Sequence, residues 1–318
     1  MSIPVAGFKD VYHIHHVEQA LDNLTESANE ALRSTYQKML QTGGQRFTIK
    51  PSALPDMDDL FDDLPNFAEP LHDIRKQLAL CVESKDPLEL TPMLFLGEPG
   101  IGKTHFAKRI AHLLGTGHCM ISMSSLTAGW VLSGSSSQWK NAKPGKVFET
   151  LVNGDYANPV MLVDEIDKAG GDSQYDPLGA LYSLLEHDTA KNFVDEFAEV
   201  PIDTSEIVWI ATANEARSIP EPILNRMNVY EIMPPDAEGS RRIAAVIYAE
   251  IRNGHDWGKQ FPEQLCDAAL EKIAEFKPRD MRRLLVSAFG TAKLARRDKV
   301  LPEDISSERQ GKKARIGF

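Results

Sequence analysis

The sequence predicts an α/β protein: a parallel sheet with helices on both faces, followed by an all-helical domain. Three observations predict it. Short, continuously apolar segments at 93–96 (MLFL), 119–123 (CMISM), 159–165 (PVMLVDE) and 207–213 (IVWIATA) alternate with helical stretches, as strands buried on both faces do. A glycine-rich loop, 97–104 (GEPGIGKT), lies directly between the first of these strands and a helical stretch. After Pro234-Pro235 such strands disappear and three helical segments follow, roughly 239–252, 262–276 and 279–297.

Upstream of the sheet, apolar or small residues recur at helical spacing (Leu21, Leu24, Ala28, Leu32, Tyr36, Leu40) and stop at Gly43-Gly44. They predict one long amphipathic helix over about 17–41. The next stretch, 51–67 (PSALPDMDDLFDDLPNF), carries three prolines and five aspartates and predicts an exposed acidic linker. The expected organisation is a helical N-terminal extension with its linker (1–66), an α/β domain (67–234), a helical lid (235–309) and a short tail (310–318). Near the start, His13, His15 and His16 have a spacing that suits zinc or nickel. The local pattern supplies no Cys or carboxylate to complete such a site.

Composition bounds the function classes. With 318 residues, 42% of them hydrophobic and 25% charged, the chain has the profile of a globular protein with a sizeable core. It has no apolar run of the roughly 20 residues that a membrane-spanning helix needs. Its N-terminus, MSIPVAGFKDVYHIHH, lacks the basic start and apolar stretch of a secretory signal, so the expected location is cytoplasmic. Cys81, Cys119 and Cys266 are widely separated, which suits reduced thiols better than disulfides. The net charge of −11 weighs against a surface built wholly for nucleic acid. From Lys277 onward, however, 12 basic residues face 5 acidic ones, and this basic segment keeps a nucleic-acid partner open.

The loop 97–104 reads G-x-x-x-x-G-K-T in the strand-to-helix context that makes the match specific. Its backbone amides, from Gly97, Glu98, Pro99, Gly100, Ile101 and Gly102 into the helix start at His105, form the expected wrap around the phosphates of ATP. Proline contributes shape there rather than an N–H. Lys103 would bring charge to the outer phosphates, and the Thr104 hydroxyl would ligate Mg2+. The segment 160–167 (VMLVDEID) is an apolar strand ending in two acids. Asp164 would hold the magnesium shell and Glu165 would polarise the attacking water, since phosphoryl transfer is catalysed mainly by positioning and charge. Asn214, which ends the strand IATAN, would position the same water.

From about residue 71 to 297 the sequence resembles the ATPase module of Lon proteases, within the larger AAA+ group. The resemblance rests on GEPGIGKT, KPGKVFETL, VDEIDK, ALYSLLEHD, EVPIDTSEIVWIATAN and IPEPILNRM, in that order. It implies three further residues. Arg226 matches the arginine finger that reaches a neighbouring subunit's nucleotide. Arg279 falls where the family carries a nucleotide-facing arginine on the lid, with Arg282 and Arg283 close by. Trp139 matches the aromatic of the central pore loop, and beside it Lys140 stands where the family usually has an apolar residue.

The resemblance further implies a ring, expected to be a hexamer, with ATP between the large domain and the lid. It stops short of the Ser-Lys peptidase domain of Lon, so the expectation is a motor serving a separately encoded protease or effector. The favoured function is pulling a protein substrate through the pore. A nucleic-acid-handling AAA+ machine (a loader or transposition-type regulator) and an ATP-controlled oligomeric switch are the alternatives. No membrane partner is expected.

Overall fold

The computed structural model describes residues 4–25, 29–125, 130–139, 141–169 and 178–306. The chain forms two compact units. The first comprises residues 1–56, 69–97 and 103–231, and the second residues 57–68, 98–102 and 232–318.

The first unit is built on a five-stranded, all-parallel sheet of β3 (Met93–Leu96), β4 (His118–Ser122), β5 (Val160–Asp164), β6 (Val208–Ala213) and β7 (Asn228–Glu231). Its strands lie in the order β4-β5-β6-β3-β7. The first strand is therefore inserted between the last two: the chain crosses from it to the far edge at β4, returns inward through β5 and β6, and then adds β7 on its other side. Such doubly wound sheets place their ligand crevice at the carboxyl ends of the strands. All six residues of β6 and the first four of β5 are buried, which is why both read as unbroken apolar runs rather than alternating ones.

Two N-terminal strands, β1 (Pro4–Asp10) and β2 (Gln45–Pro51), pair antiparallel. Between them the expected single long helix is two. α1 spans Ile14–Asp22 and α2 spans Glu30–Thr42, the second starting at Asn29, whose side chain accepts the amide of Ala31. Asn29 offers the backbone a cap in place of a helical continuation, a signal that the apolar spacing concealed. The buried stripe Leu32, Tyr36 and Met39 of α2 joins the main core. The helices α3 (Ala68–Cys81), α4 (Lys103–Leu114) and α5 (Lys146–Val152) follow.

The second unit centres on α6 (Ala237–Asn253), α7 (Asp267–Ala274) and α8 (Pro278–Leu294). They close around Phe289, which stacks on Tyr248 at 5.1 Å and meets Phe261 edge-on at 4.7 Å. Asp304, which is buried, accepts both guanidinium nitrogens of Arg297 at 2.6 and 2.7 Å. From Met57 onward the supposed acidic linker is part of this unit. It folds into a short helix, Asp58–Asp63, and buries Met57, Leu60, Leu64 and Phe67. Its aspartates face solvent while the apolar residues between them supply the packing face, a spacing that the prolines and charge obscured.

Among the described residues, no helix is long and apolar enough to cross a membrane. Cys81, Cys119 and Cys266 are free.

Candidate functional site

The strands β5, β6 and β3 are neighbours, and their register brings their carboxyl ends side by side, with Leu96 opposite Ala213 and Val163 opposite Ala211. The residues following those three ends are Gly97, Glu165 and Asn214. Sheet pairing alone thus collects the segments singled out by sequence onto one edge.

Lys103, the first residue of α4, is buried, and its ammonium donates to the carbonyls of Gly97 and Ala213, the latter at 3.0 Å. Burial lowers the pKa of Lys103, while the charges of Asp164, Asp167 and Glu165 act in the opposite direction. Thr104 lies 3.5 Å, hydroxyl to carboxylate, from Oδ1 of Asp164. The same Asp164 oxygen accepts the hydroxyl of Thr212 at 2.6 Å, and that hydroxyl accepts the amide of Glu165 at 3.0 Å. Glu165 itself is left-handed, at φ 57° and ψ 48°. A non-glycine residue holds such a conformation where its surroundings over-determine it, often at functional sites. Thr212 is part of that surrounding and was not singled out by sequence reasoning. The available signal was a hydroxyl in the run IVWIATA, at a position that is fully buried.

The fit to a hard cation can be judged from these donors. A hydroxyl and a carboxylate oxygen at one strand end are the oxygen chemistry that magnesium takes from proteins, which supply only one or two ligands beside phosphate and water. Nearby in sequence, Asp167 is buried with neither carboxylate oxygen hydrogen-bonded, and its ion-pair partner is Lys168 at 3.1 Å. Thr104 and Asp164 therefore fit an added cation. The rings of His13, His15 and His16 pack at centroid distances of 5.6, 5.7 and 4.1 Å. Among the described residues, no group of three or more His, Cys, Asp or Glu side chains is arranged to hold a metal ion.

The crest of the glycine-rich loop, Glu98–Gly102, belongs to the second unit. Glu98 and Pro99 are exposed and Ile101 is buried. Gly100 adopts φ +87°, and a Cβ there would lie 3.1 Å from that of Arg279, so both backbone freedom and close packing call for glycine. The Arg279 amide donates to the Gly100 carbonyl at 3.3 Å, and Lys277 pairs with Glu98, which lowers the Glu98 pKa. His105 is exposed on the first turn of α4.

Arg226 is not drawn to the acids of the sheet edge. It pairs with Glu186 at 3.1 Å and donates to the Pro222 carbonyl at 2.7 Å. Glu186 lies inside ALYSLLEHD, and no local pattern marks it as an arginine partner. Trp139 is about half exposed and meets Trp130 edge-on at 5.9 Å. Lys140 lies outside the described residues.

Residues 93–235 match the family described as "ATPase family associated with various cellular activities (AAA)". Among curated relatives, the peroxisomal Lon protease homolog 2 of Oryza sativa subsp. indica is 33% identical over 230 residues, covering 70% of this chain and 26% of that one. The mitochondrial Lon protease homolog of Rattus norvegicus is 37% identical over 140 residues, covering 44% and 15%. A RuvB mutant from Thermotoga maritima superposes with a TM-score of 0.52 at 16% identity, over 80% of this chain and 70% of that one, a likeness of fold.

The strand ends and the family match over residues 93–235 define an AAA ATPase domain on the parallel sheet, and the chain is an ATPase. Within that class it is related to the ATPase modules of Lon proteases, and it spans 26% of the length of the Oryza relative and 15% of the Rattus one.

Proposed function

We propose that the chain is an ATP-driven motor that assembles into a ring, a hexamer in its working form, and pulls protein substrate past the loop carrying Trp139. The observation that supports it most is the gathering of Lys103, Thr104, Asp164 and Glu165, beside Asn214, on the carboxyl edge of one sheet. The relatedness to Lon ATPase modules points to polypeptide as the substrate class. A protease or effector would act on what the ring delivers, and a cytoplasmic location belongs to the same reading.

In this mechanism the backbone of 97–102 and the start of α4 wrap the triphosphate. Lys103 turns its ammonium from carbonyls to phosphate oxygens. Thr104 and Asp164 would hold Mg2+. Bound magnesium would neutralise charge on the phosphate oxygens. Water attacks the terminal phosphorus and the bond to the ADP oxygen breaks. Glu165 accepts the water's proton while Asn214 holds the water in line. Thr212 fixes both acids, through the Asp164 carboxylate and the Glu165 amide. Arg226 exchanges Glu186 for the developing charge on a neighbouring subunit's phosphate, and Arg279 serves as a nucleotide contact.

The test is ATPase activity of the purified chain alone, with unfolded casein, with single-stranded DNA and with duplex DNA. Casein should stimulate, and Trp139→Ala should remove the stimulation while keeping basal turnover. Stimulation by DNA instead of casein would replace polypeptide with nucleic acid as the substrate.

A further inference from the structure

The segment that carries Trp139 enters at Gly134 and leaves at Gly145, and both ends meet one buried carboxylate. Asp195 has no exposed surface. Its Oδ2 accepts the Gly145 amide at 2.8 Å, and its Oδ1 accepts the amides of Phe197 and Ala198 at 3.0 and 3.1 Å. Gly134, at φ +81°, passes so close that a Cβ there would stand 2.5 Å from Oδ1. A side chain at 134 would have to displace the carboxylate. Between the two ends the segment is cross-tied, because the Ser135 amide donates to the Lys143 carbonyl and the Lys143 amide to the Ser135 hydroxyl, each at 3.0 Å.

The turn that Asp195 organises is itself held on both sides. The Glu196 amide donates to the Ser133 carbonyl at 2.6 Å, just ahead of Gly134. On the other side, the Tyr36 hydroxyl donates to the Ala198 carbonyl at 2.6 Å, and the Asn29 side chain reaches the Ser137 carbonyl at 3.1 Å. The N-terminal helix α2 is thus a strut against the same loop. A buried carboxylate held by backbone amides is expensive to keep ionised, and burial raises the Asp195 pKa to about 6 against the pull of those three amides.

We propose that Asp195 is the positioning residue of the Trp139 loop, bonding its Gly145 end and packing against its Gly134 end, on a 195–198 turn that α2 braces through Tyr36, so that the indole is presented in one fixed place. Polypeptide would then meet a preorganised contact and spend less of its binding energy on ordering the loop. The inference rests on the reading that Trp139 touches polypeptide, but the tie itself can be measured without it.

Asp195→Asn separates the two. An amide group keeps the size but has one acceptor oxygen, so it turns its NH2 either toward the Gly145 amide or toward those of Phe197 and Ala198. Hydrogen exchange either at Gly145 or at Phe197 and Ala198 should quicken by about tenfold or more, since exchange reports local opening. The casein concentration for half-maximal stimulation should rise by up to about tenfold, the size expected from losing preorganisation, with basal ATP turnover unchanged. Asp195→Glu should restore neither fully. If Asp195→Asn does not fold, Gly134→Ala tests the same tie by pushing the carboxylate aside, with the same expected result. Unchanged exchange at Gly145, Phe197 and Ala198 in the folded variant would overturn the proposal. So would a fall in basal turnover with an unchanged casein requirement. If Trp139→Ala leaves casein stimulation intact, the polypeptide reading fails, and the exchange result still decides the role of Asp195.

Discussion

At the carboxyl edge of the sheet, the side chains proposed to act on ATP are delivered by main-chain pairing, whereas the loop with Trp139 is held by side chains reaching across sequence. Leu96, Asp164 and Ala213 end adjacent parallel strands, so their successors converge without any dedicated tie, and a single hydroxyl, Thr212, finishes the arrangement. The loop has no strand to extend. It depends on Asp195, 50 residues beyond Gly145, and on Asn29, 108 residues before Ser137. A sheet edge tolerates substitution in its neighbours because many bonds share the positioning. A loop held by a few side chains distant in sequence does not. Chemistry placed on the first should fail through the loss of its own reacting group, and contact placed on the second through the loss of a distant tie.

The sharpest way to break the comparison is Glu165→Gln. Removing a general base while keeping its shape should slow hydrolysis by about 100-fold or more, with nucleotide affinity changed little because the loop and Lys103 remain. Fluorescent-nucleotide titration beside a turnover assay checks both halves. A variant that loses binding and turnover together would mean that the sheet edge is as fragile as the loop. Arg226→Ala should cost a comparable factor. Part of it should return on mixing with Lys103→Ala subunits, provided that mixed assembly is shown first. No recovery would place Arg226 in its own subunit's chemistry or outside the chemistry altogether.

The same contrast explains what the sequence disclosed. The α/β fold and the strand-end acids were legible because a strand buried on both faces writes its whole length as apolar residues, and the break to Asp164 or Asn214 is conspicuous. Thr212 was harder, since one hydroxyl inside an apolar strand carries no spacing of its own. The N-terminal region misled because Leu21, Leu32, Tyr36 and Leu40 keep helical spacing across the break before Asn29, and spacing does not record a cap. In 51–67 the aspartates drew attention from Met57, Leu60, Leu64 and Phe67, which pack in the helical unit. Asp195 was invisible because its partners are backbone amides, and backbone amides leave no residue type to recognise.

A smaller effect sharpens the description of the edge. Thr212→Val keeps volume and removes the hydroxyl between Asp164 and the Glu165 amide. A buried hydrogen-bonded network of this kind contributes about 1 kcal/mol per bond, so turnover should fall by roughly tenfold if that energy serves the transition state. Single-turnover kinetics separates this from weaker binding. Turnover at the wild-type level would leave the left-handed Glu165 held by other contacts.

The smallest effect compares two buried aspartates, one in each unit. Asp304 is paired with Arg297, which holds its carboxyl below the ordinary carboxylate value. Asp195 has its carboxyl raised by burial, from 3.8 to about 6. The signs are opposite. For Asp304 the unfolded chain takes up the proton first, so its contribution is present above the ordinary value and fades as pH falls through the lowered one. For Asp195 the folded chain takes up the proton first, so stability from this group falls as pH rises from about 4 to 6, by at most about 1.4 kcal/mol per pH unit. Above that window the full cost of keeping Asp195 ionised, of order 3 kcal/mol at most, is always present. Asp195→Asn has no such cost, while Asp304 titrates alike in both proteins and cancels in the difference. Urea unfolding of wild type and Asp195→Asn at pH 4.5 and 7.0 should therefore show wild type gaining on the variant at the lower pH. A difference independent of pH would mean that Asp195 titrates as it does in the unfolded chain, and the loop's tie would then be free of the cost that distinguishes it from the sheet edge.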